Sequence, residues 1–258
     1  MQYRIIINAC GPDEAGGYFT YATNLIYHLS KHDKDNKYFV WCNGKIYEKL
    51  KTIKGNFKII LSSKYQSYNF IRFFWMQFIL PFIILFNRYN ILFSPLNATP
   101  YLVKLLSIKS VMVVHSNIPW TSPQFLPYGR FKASIIKKLK TLSLYCSDSV
   151  ICVSDSSRLE LIKNTDIDPK KVHAIHLGVN NIERKKKKKK SDKYFLYVAN
   201  SALHHNHINL LKAYKIYLKN IESDYYLFLV LDPVDKKNYN NILNYIDKLK
   251  ISEFVSII

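Results

Sequence analysis

Asp148-Ser-Val-Ile-Cys-Val-Ser-Asp-Ser-Ser-Arg-Leu-Glu-Leu-Ile-Lys163 is the stretch whose reading decides the fold. A short apolar run, Val150 to Val153, is closed by Ser154 and Asp155, and a helical pattern follows. Such a run, ended by polar capping residues, reads as a buried strand that feeds a helix. Lys171-Val-His-Ala-Ile-His-Leu-Gly-Val179 then reads as a second strand stopped by glycine, and after a lysine-rich break Tyr194-Phe-Leu-Tyr-Val-Ala199 opens another. The stretch therefore lies at a seam between two strand–helix domains, the usual place for ligands in two-domain α/β proteins.

Toward the N-terminus the same alternation continues. Strands are expected at Tyr3 to Ala9, Tyr38 to Cys42, Phe57 to Leu61, Asn90 to Ser94 and Ser110 to His115. Helices are expected at Tyr18 to Lys31, Ile46 to Lys51 and Gln124 to Tyr145, the last with a basic face. Strands alternating with helices predict a parallel, doubly wound sheet. Phe70 to Phe86 is the most apolar segment, but Arg72, Gln77 and Pro81 interrupt it and its unbroken part is shorter than the ~20 residues a membrane span needs. It reads as a core helix, with a helix lying on a membrane surface as the alternative. Toward the C-terminus, Ile182 to Asp192 reads as a linker, since a block of like charge repels itself and stays solvated. Beyond it a strand (Lys193 to Ala199), a helix (His204 to Leu218), a strand (Tyr225 to Leu231), a helix (Lys236 to Leu249) and a final strand (Glu253 to Ile258) are expected. This predicts an N-terminal domain over 1–182, a linker over 183–192 and a partial second domain over 193–258.

Composition narrows the function. With 48% hydrophobic residues the 258-residue chain can bury a core and is not of the disordered class. The formal charge of +20 favours anionic partners, although a general bias toward Lys, Ile, Asn, Tyr and Phe accounts for it as well. Four cysteines without CxxC or CxxH spacing argue against a zinc site and for a reducing, cytoplasmic compartment, and the chain opens directly on a strand instead of a signal peptide. The sequence carries no RNP-like run, zinc finger or helix-turn-helix, so a nucleic-acid partner is not expected.

Several residues could carry chemistry. Gly16-Gly17 lies between the first strand and helix, where glycines let backbone N–H groups approach an anion, but a full GxGxxG pattern is lacking. His115 ends the strand Val111-Met-Val-Val-His and would face the ligand crevice, to bond a sugar hydroxyl or move a proton; a structural hydrogen-bonding role is the plainer reading. His204-His205-Asn206-His207 heads the first helix of the second half. It lacks the i, i+4 pairing of helical metal sites, so contact with phosphate at the helix start is favoured over a metal.

In order and spacing these pieces resemble family 4 glycosyltransferases, retaining enzymes of the GT-B fold with two Rossmann-like domains facing across a cleft. The matching segments are Gly16-Gly17, Arg72-Phe-Phe-Trp-Met-Gln-Phe-Ile-Leu-Pro81, Phe93-Ser94-Pro95, Val113-Val114-His115, Ser147 to Ser154, Lys171 to Asn180, Tyr194 to Ala199 and Asn206 to Tyr214. The resemblance implies a hexose moved from a nucleotide-diphosphate sugar to a saccharide or lipid-linked acceptor, as in surface-polysaccharide assembly, with no cofactor or metal. It implies that His115 supports the reacting centre and that Gly16, Gly17, Ser154, Asn200, His205 and Asn206 line the donor. An anionic membrane surface is a further expected partner. The chain departs from the family pattern in three places. Asn200 and His205 stand where an Arg and a Lys usually hold the diphosphate. Asp232-Pro233 replaces a glycine-rich turn, and the paired glutamates of the family would fall beyond Ile258. The alternative reading is a non-catalytic remnant or acceptor-binding protein that lacks the donor site.

Overall fold

The computed structural model describes residues 2–11, 17–63, 69–126, 128–179, 193–220 and 225–258. These divide into two compact units: Met1–Pro123 with Arg130–Val179, and Asn180–Ile258 with Gln124–Gly129. The expected linker, residues 183–192, lies outside the described residues, as does Gly16.

The first unit is built on seven parallel strands: β1 (Arg4–Ala9), β2 (Lys37–Cys42), β3 (Phe57–Leu61), β4 (Ile91–Ser94), β5 (Lys109–Val114), β6 (Ser149–Cys152) and β7 (Val172–Ala174). Their order, β3-β2-β1-β4-β5-β6-β7, reverses direction at β1, which pairs with both β2 and β4. Side chains alternate across a strand, so β1 sends Ile7 and Ala9 to one face and Ile6 to the other. Ile7 and Ala9 pack with Ile26 of α1 (Gly17–His32) and with Ile46 and Leu50 of α2 (Gly44–Leu50). On the opposite face Ile6 and Leu92 meet Trp75, Met76, Leu80 and Ile84. Those four belong to a continuous helix, α3 (Asn69–Phe74), a π turn (Trp75–Ile79) and α4 (Leu80–Asn87). In the π turn the Leu80 N–H reaches back five residues to the Trp75 carbonyl. Met112, Val114, Val150 and Cys152 continue the buried layer beneath Leu144 of α6 (Arg130–Cys146) and Leu161 of α7 (Asp155–Asn164).

The second unit carries a parallel sheet in the order β10-β9-β8. Its elements are β8 (Tyr194–Asn200), α8 (His207–Asn220), β9 (Tyr226–Asp232), α9 (Lys236–Leu249) and β10 (Val255–Ile257). Leu227, Leu229 and Leu231 of β9 pack with Leu211, Tyr214, Ile242 and Ile246 from the two helices.

Four expected elements differ in detail. The helix expected from Gln124 begins at Arg130; a short helix α5 (Ile118–Thr121) and a 3-10 turn (Pro123–Phe125) precede it, because the sequence places Pro127 and Gly129, both unfavourable to helix, inside the expected span. The strand expected over 171–179 closes at Ala174, because its partner β6 ends at Cys152 and only Ile175 N–H still finds the Cys152 carbonyl, at 2.9 Å. The helix expected from His204 starts at His207, after a 3-10 turn (Leu203–His205) and a left-handed Asn206 at φ 57°. The terminal strand is shortened to Val255–Ile257 by a 3-10 turn at Ser252–Phe254. The apolar helix over 69–87 is core on one side alone: about a third of it is buried, and its outer side exposes phenylalanines.

Candidate functional site

Open parallel sheets bind ligands beyond the carboxyl ends of their strands, at the point where strand order reverses. In the first unit that point lies between β1 and β4, and the loops there are tightly tied. Asn8, buried at the end of β1, accepts from the Cys10 N–H at 3.4 Å, and the Asn43 amide donates to the Gly11 carbonyl at 3.1 Å. Gly11 has no room for a side chain, since a Cβ there would lie 1.9 Å from a ring carbon of Tyr18. Tyr18, in the first turn of α1, is partly buried with its hydroxyl out of reach of solvent, and that hydroxyl has no partner among the described residues. Burial pushes that phenol well above its ordinary pKa, so it stays a neutral O–H donor.

His115 directly follows β5. Its backbone N–H donates to the Asn97 side-chain oxygen at 2.7 Å, and its ring Nε2 lies 2.7 Å from the Pro95 carbonyl oxygen. A carbonyl oxygen only accepts, so Nε2 carries the proton and Nδ1 is left with the lone pair. Tyr21 stands edge-on to the imidazole at 4.7 Å between centroids, and Tyr18 does so at 6.2 Å. Burial lowers the His115 pKa, partly offset by the bond to Pro95, and burial raises Tyr21 to about 12. The site thus holds a neutral imidazole presenting an acceptor, walled by two neutral phenols. That chemistry suits the orientation of a hydroxyl-rich ligand better than the donation of a proton.

The other expected residues of this unit take different places. Gly17 opens α1 with nothing within 4 Å of an added Cβ, so packing does not require a glycine there. Ser154 caps α7, its Oγ accepting from the Ser157 N–H at 3.1 Å, which commits that oxygen to the helix.

In the second unit Asn200 ends β8 and turns its side-chain oxygen onto the Ala202 N–H at 3.0 Å. Ser201, fully buried, ties this turn to the start of α9: its Oγ donates to the Asp235 carbonyl at 3.0 Å, and the Asn238 amide donates to its carbonyl at 2.7 Å. His205 is held through its backbone, whose carbonyl accepts from the Tyr197 hydroxyl at 2.6 Å, while its ring lies against His204 at 4.2 Å. Burial, then the neighbouring His204, lowers its pKa. Asn206 adopts the left-handed conformation that asparagine tolerates better than most residues, and its carbonyl accepts from Asn209 and Leu210 as α8 begins. His207, 2% exposed, finds no partner for either ring nitrogen among the described residues and packs edge-on to Tyr197. Among the described residues no three His, Cys, Asp or Glu side chains are grouped to hold a metal ion.

Sequence reasoning placed His115 and the 200–206 turn at strand ends, which is where they lie. It missed Gly11, Tyr18, Tyr21 and the Ser201–Asn238 tie. The signals available were the glycine after β1 and the tyrosine pair at i, i+3 on the first turn of α1.

The Glycosyltransferase Family 4 profile matches residues 15–181. No curated protein sequence matches the chain. A glycosyltransferase from Rickettsia africae has a similar structure, with a TM-score of 0.60 and 18% identity, covering 100% of this chain and 68% of that one. Anabaena HepE in complex with UDP-glucose gives a TM-score of 0.62 at 13% identity, over 99% and 68% of the two chains. UDP-GlcNAc 2-epimerase from Methanocaldococcus jannaschii gives 0.54 at 15% identity, over 100% and 73%. At these identities the likeness is one of fold: α/β, with two Rossmann-like units of the GT-B type. The profile separates the transferase from the epimerase, and because it spans well over half of the sequence, this chain belongs to glycosyltransferase family 4.

Proposed function

We propose that the chain moves a hexose from a nucleotide-diphosphate sugar to a saccharide or lipid-linked acceptor, in the assembly of a surface polysaccharide. The observation that carries the reading is the family match over residues 15–181, which encloses the His115 site at the strand-order reversal. The nucleotide sugar as donor is supported by the fold shared with HepE, a protein described in complex with UDP-glucose. In this reading Nδ1 of His115 accepts from a sugar hydroxyl, with the Tyr18 and Tyr21 rings excluding water. The N–H groups at the start of α8 take the diphosphate, helped by the positive end of the helix dipole. Charge developing on the leaving diphosphate then falls on fixed backbone donors, with no resident metal or cofactor in the scheme.

One observation favours the second reading, a binding protein without transferase activity. Residues 200–211 contain no Lys or Arg, Asn200 spends its side-chain oxygen on its own turn, and His205 is held toward the neutral form. A neutral amide and a neutral imidazole do not replace a guanidinium fork and an ammonium. Calorimetric titration with UDP-glucose, UDP-galactose and UDP-GlcNAc, with release of UDP followed in parallel, separates the two. Saturable heat with UDP release supports transfer. No heat at millimolar donor rejects transfer and leaves the binding protein.

A further inference from the structure

Residues 49–147 contain no Asp or Glu at all. This run is more than a third of the chain, it holds eleven Lys and three Arg, and all 18 acids lie outside it. A general lysine bias does not account for this, because it adds lysines without removing acids from one segment. The acid-free run includes α3–α4 and α6, two of the helices that cover one face of the first sheet; α7, on the same face, carries Asp155 and Glu160.

On the outer side of α3–α4, Phe70, Phe74, Phe78, Phe82 and Phe86 recur at every fourth position, and all five are exposed, Phe70 by 80% and Phe86 by 79%. The opposite side of the same helix is anchored in the core by Trp75, Met76, Leu80 and Ile84, so the helix lies on the sheet and does not leave it. Two hydrogen bonds to one atom join it to α6: the Thr99 carbonyl accepts from the Gln77 amide at 3.4 Å and from the Ser143 hydroxyl at 3.1 Å. The Tyr101 hydroxyl then donates to the Leu139 carbonyl of α6 at 3.2 Å. On α6 and the 3-10 turn Tyr101–Leu105, Phe131 is exposed by 82% and Leu105 by 80%, and Lys104, Lys132 and Lys138 of the same two elements are exposed as well.

At the amino-terminal edge of β4, β5 and β6, where α4 ends and α6 ends, an open cavity of about 350 Å³ is lined by Lys104, Lys109, Lys171, Asn90, Ser107 and Ser147, among others. Lys104, Lys171 and Cys146 line it together, and the two lysines partly offset the upward push that burial gives the Cys146 thiol. Asp148 is the single acid of the lining: its Oδ2 accepts from the Ser110 N–H and hydroxyl at 2.8 and 3.0 Å and its Oδ1 lies 3.8 Å from the Lys109 ammonium, which leaves Lys104 and Lys171 as the lining cations not paired with it.

An apolar ridge on a helix tied to lysine-bearing α6, with a lysine-lined recess where the two helices end, matches the layered chemistry of a bilayer surface, with anionic headgroups above acyl chains. We infer that this face docks onto an anionic lipid bilayer, the phenylalanine ridge entering the acyl boundary and the lysine-lined cavity receiving a lipid phosphate. The inference rests on the surface of the first unit and holds whether or not the chain transfers sugar.

The test is co-sedimentation of the full chain with vesicles of phosphatidylcholine containing about one quarter phosphatidylglycerol, against vesicles of phosphatidylcholine alone. Binding to the anionic vesicles is expected to exceed binding to the neutral ones by at least about tenfold at low salt, and to fall in high salt. Phe70→Ser with Phe86→Ser is expected to weaken it by about tenfold or more, and Lys104→Glu with Lys171→Glu by a similar factor. These side chains lie at the surface, so an unchanged melting curve and unchanged UDP-sugar titration serve as controls for folding. Equal binding to neutral vesicles, or variants that bind as the parent does, would overturn the inference. So would a dimer by light scattering that Phe78→Ser dissolves and that ignores vesicles, since a second copy would then cover the ridge. Saturable binding of free glycerol 3-phosphate by a chain that ignores vesicles, or of RNA by a chain insensitive to the phenylalanine changes, would overturn it too.

Discussion

Nε2 of His115 lies 2.7 Å from the Pro95 carbonyl oxygen, twenty residues earlier in the chain, and this contact leaves Nδ1 as the ring nitrogen able to meet a ligand. An acceptor at that point, more than a titrating group, is what the site requires. His115→Gln keeps a side-chain acceptor and is expected to retain more activity than His115→Leu, which should lose at least about tenfold in rate, the scale of one hydrogen bond to a buried polar group. Initial rates at saturating donor decide it, and equal losses in both variants would show that the ring acceptor is not used.

Stability should fall on mild acidification. Burial lowers the pKa of His115, His205 and His207 below the ordinary value near 6.5, so between those lowered values and ~6.5 the unfolded chain binds more protons than the folded one. The contribution is complete above ~6.5 and is lost as pH falls through the folded values. Asp33, held down at about 2 by hydrogen bonds from Tyr38 and Asn36, titrates far below that window. Urea midpoints are therefore expected to be lower at about pH 5 than at about pH 7.5, and His207→Phe should flatten the difference. A higher midpoint in acid would contradict the assignment.

Donor affinity should move with pH in the opposite direction. Protonation of His205 supplies the positive charge that the neutral ring lacks, so UDP-sugar binding is expected to tighten as pH falls below neutrality. His205→Lys should tighten it at pH 7 by about tenfold, which corresponds to ~1.4 kcal/mol, and should remove the pH dependence. Calorimetry at two pH values on both proteins checks this, and identical constants throughout would detach His205 from the donor.

Tyr18 and Gly11 form one packing unit. Gly11→Ala drives a Cβ into the Tyr18 ring and is expected to destabilise the first unit by about 1–3 kcal/mol. Tyr18→Phe removes a buried hydroxyl that has no partner among the described residues, so its stability should be unchanged or higher. If that hydroxyl serves a ligand, the same variant binds acceptor more weakly while melting no lower. Denaturant melts together with acceptor titration read both effects.

Ser154→Ala should cost the protein about 1 kcal/mol through loss of the α7 cap. Donor affinity is expected to stay as it was, because the Ser154 oxygen already serves the Ser157 N–H. A large drop in donor affinity with normal stability would return Ser154 to the binding site.

The alternation of apolar runs made the architecture legible, because parallel strands buried on both faces, such as Ile5 to Ile7 and Val111 to Val114, stand out as unbroken hydrophobic runs. His115 and Asn200 were legible for the same reason, as the first polar residues after such runs. Tyr18 was not, since a tyrosine in an amphipathic helix signals packing and only its depth reveals an unpartnered hydroxyl. The role of Ser154 turned on a single hydrogen bond to Ser157, which local sequence offers as a cap and as a ligand contact alike. The two sides of the 69–87 helix were illegible because both are apolar, so no polarity contrast marks the outer one.

The wide turn at Trp75–Ile79 sets a length constraint on that helix. It takes up one residue more than an ordinary helical turn. Removing a single residue there would let the turn close to ordinary helix and keep Leu80 and Ile84 beneath Leu92, whereas inserting a further one would rotate every later side chain by about 100° about the axis. One-residue deletions at this turn should therefore be absorbed, whereas insertions should come with wholesale re-choice of the side chains between 80 and 87.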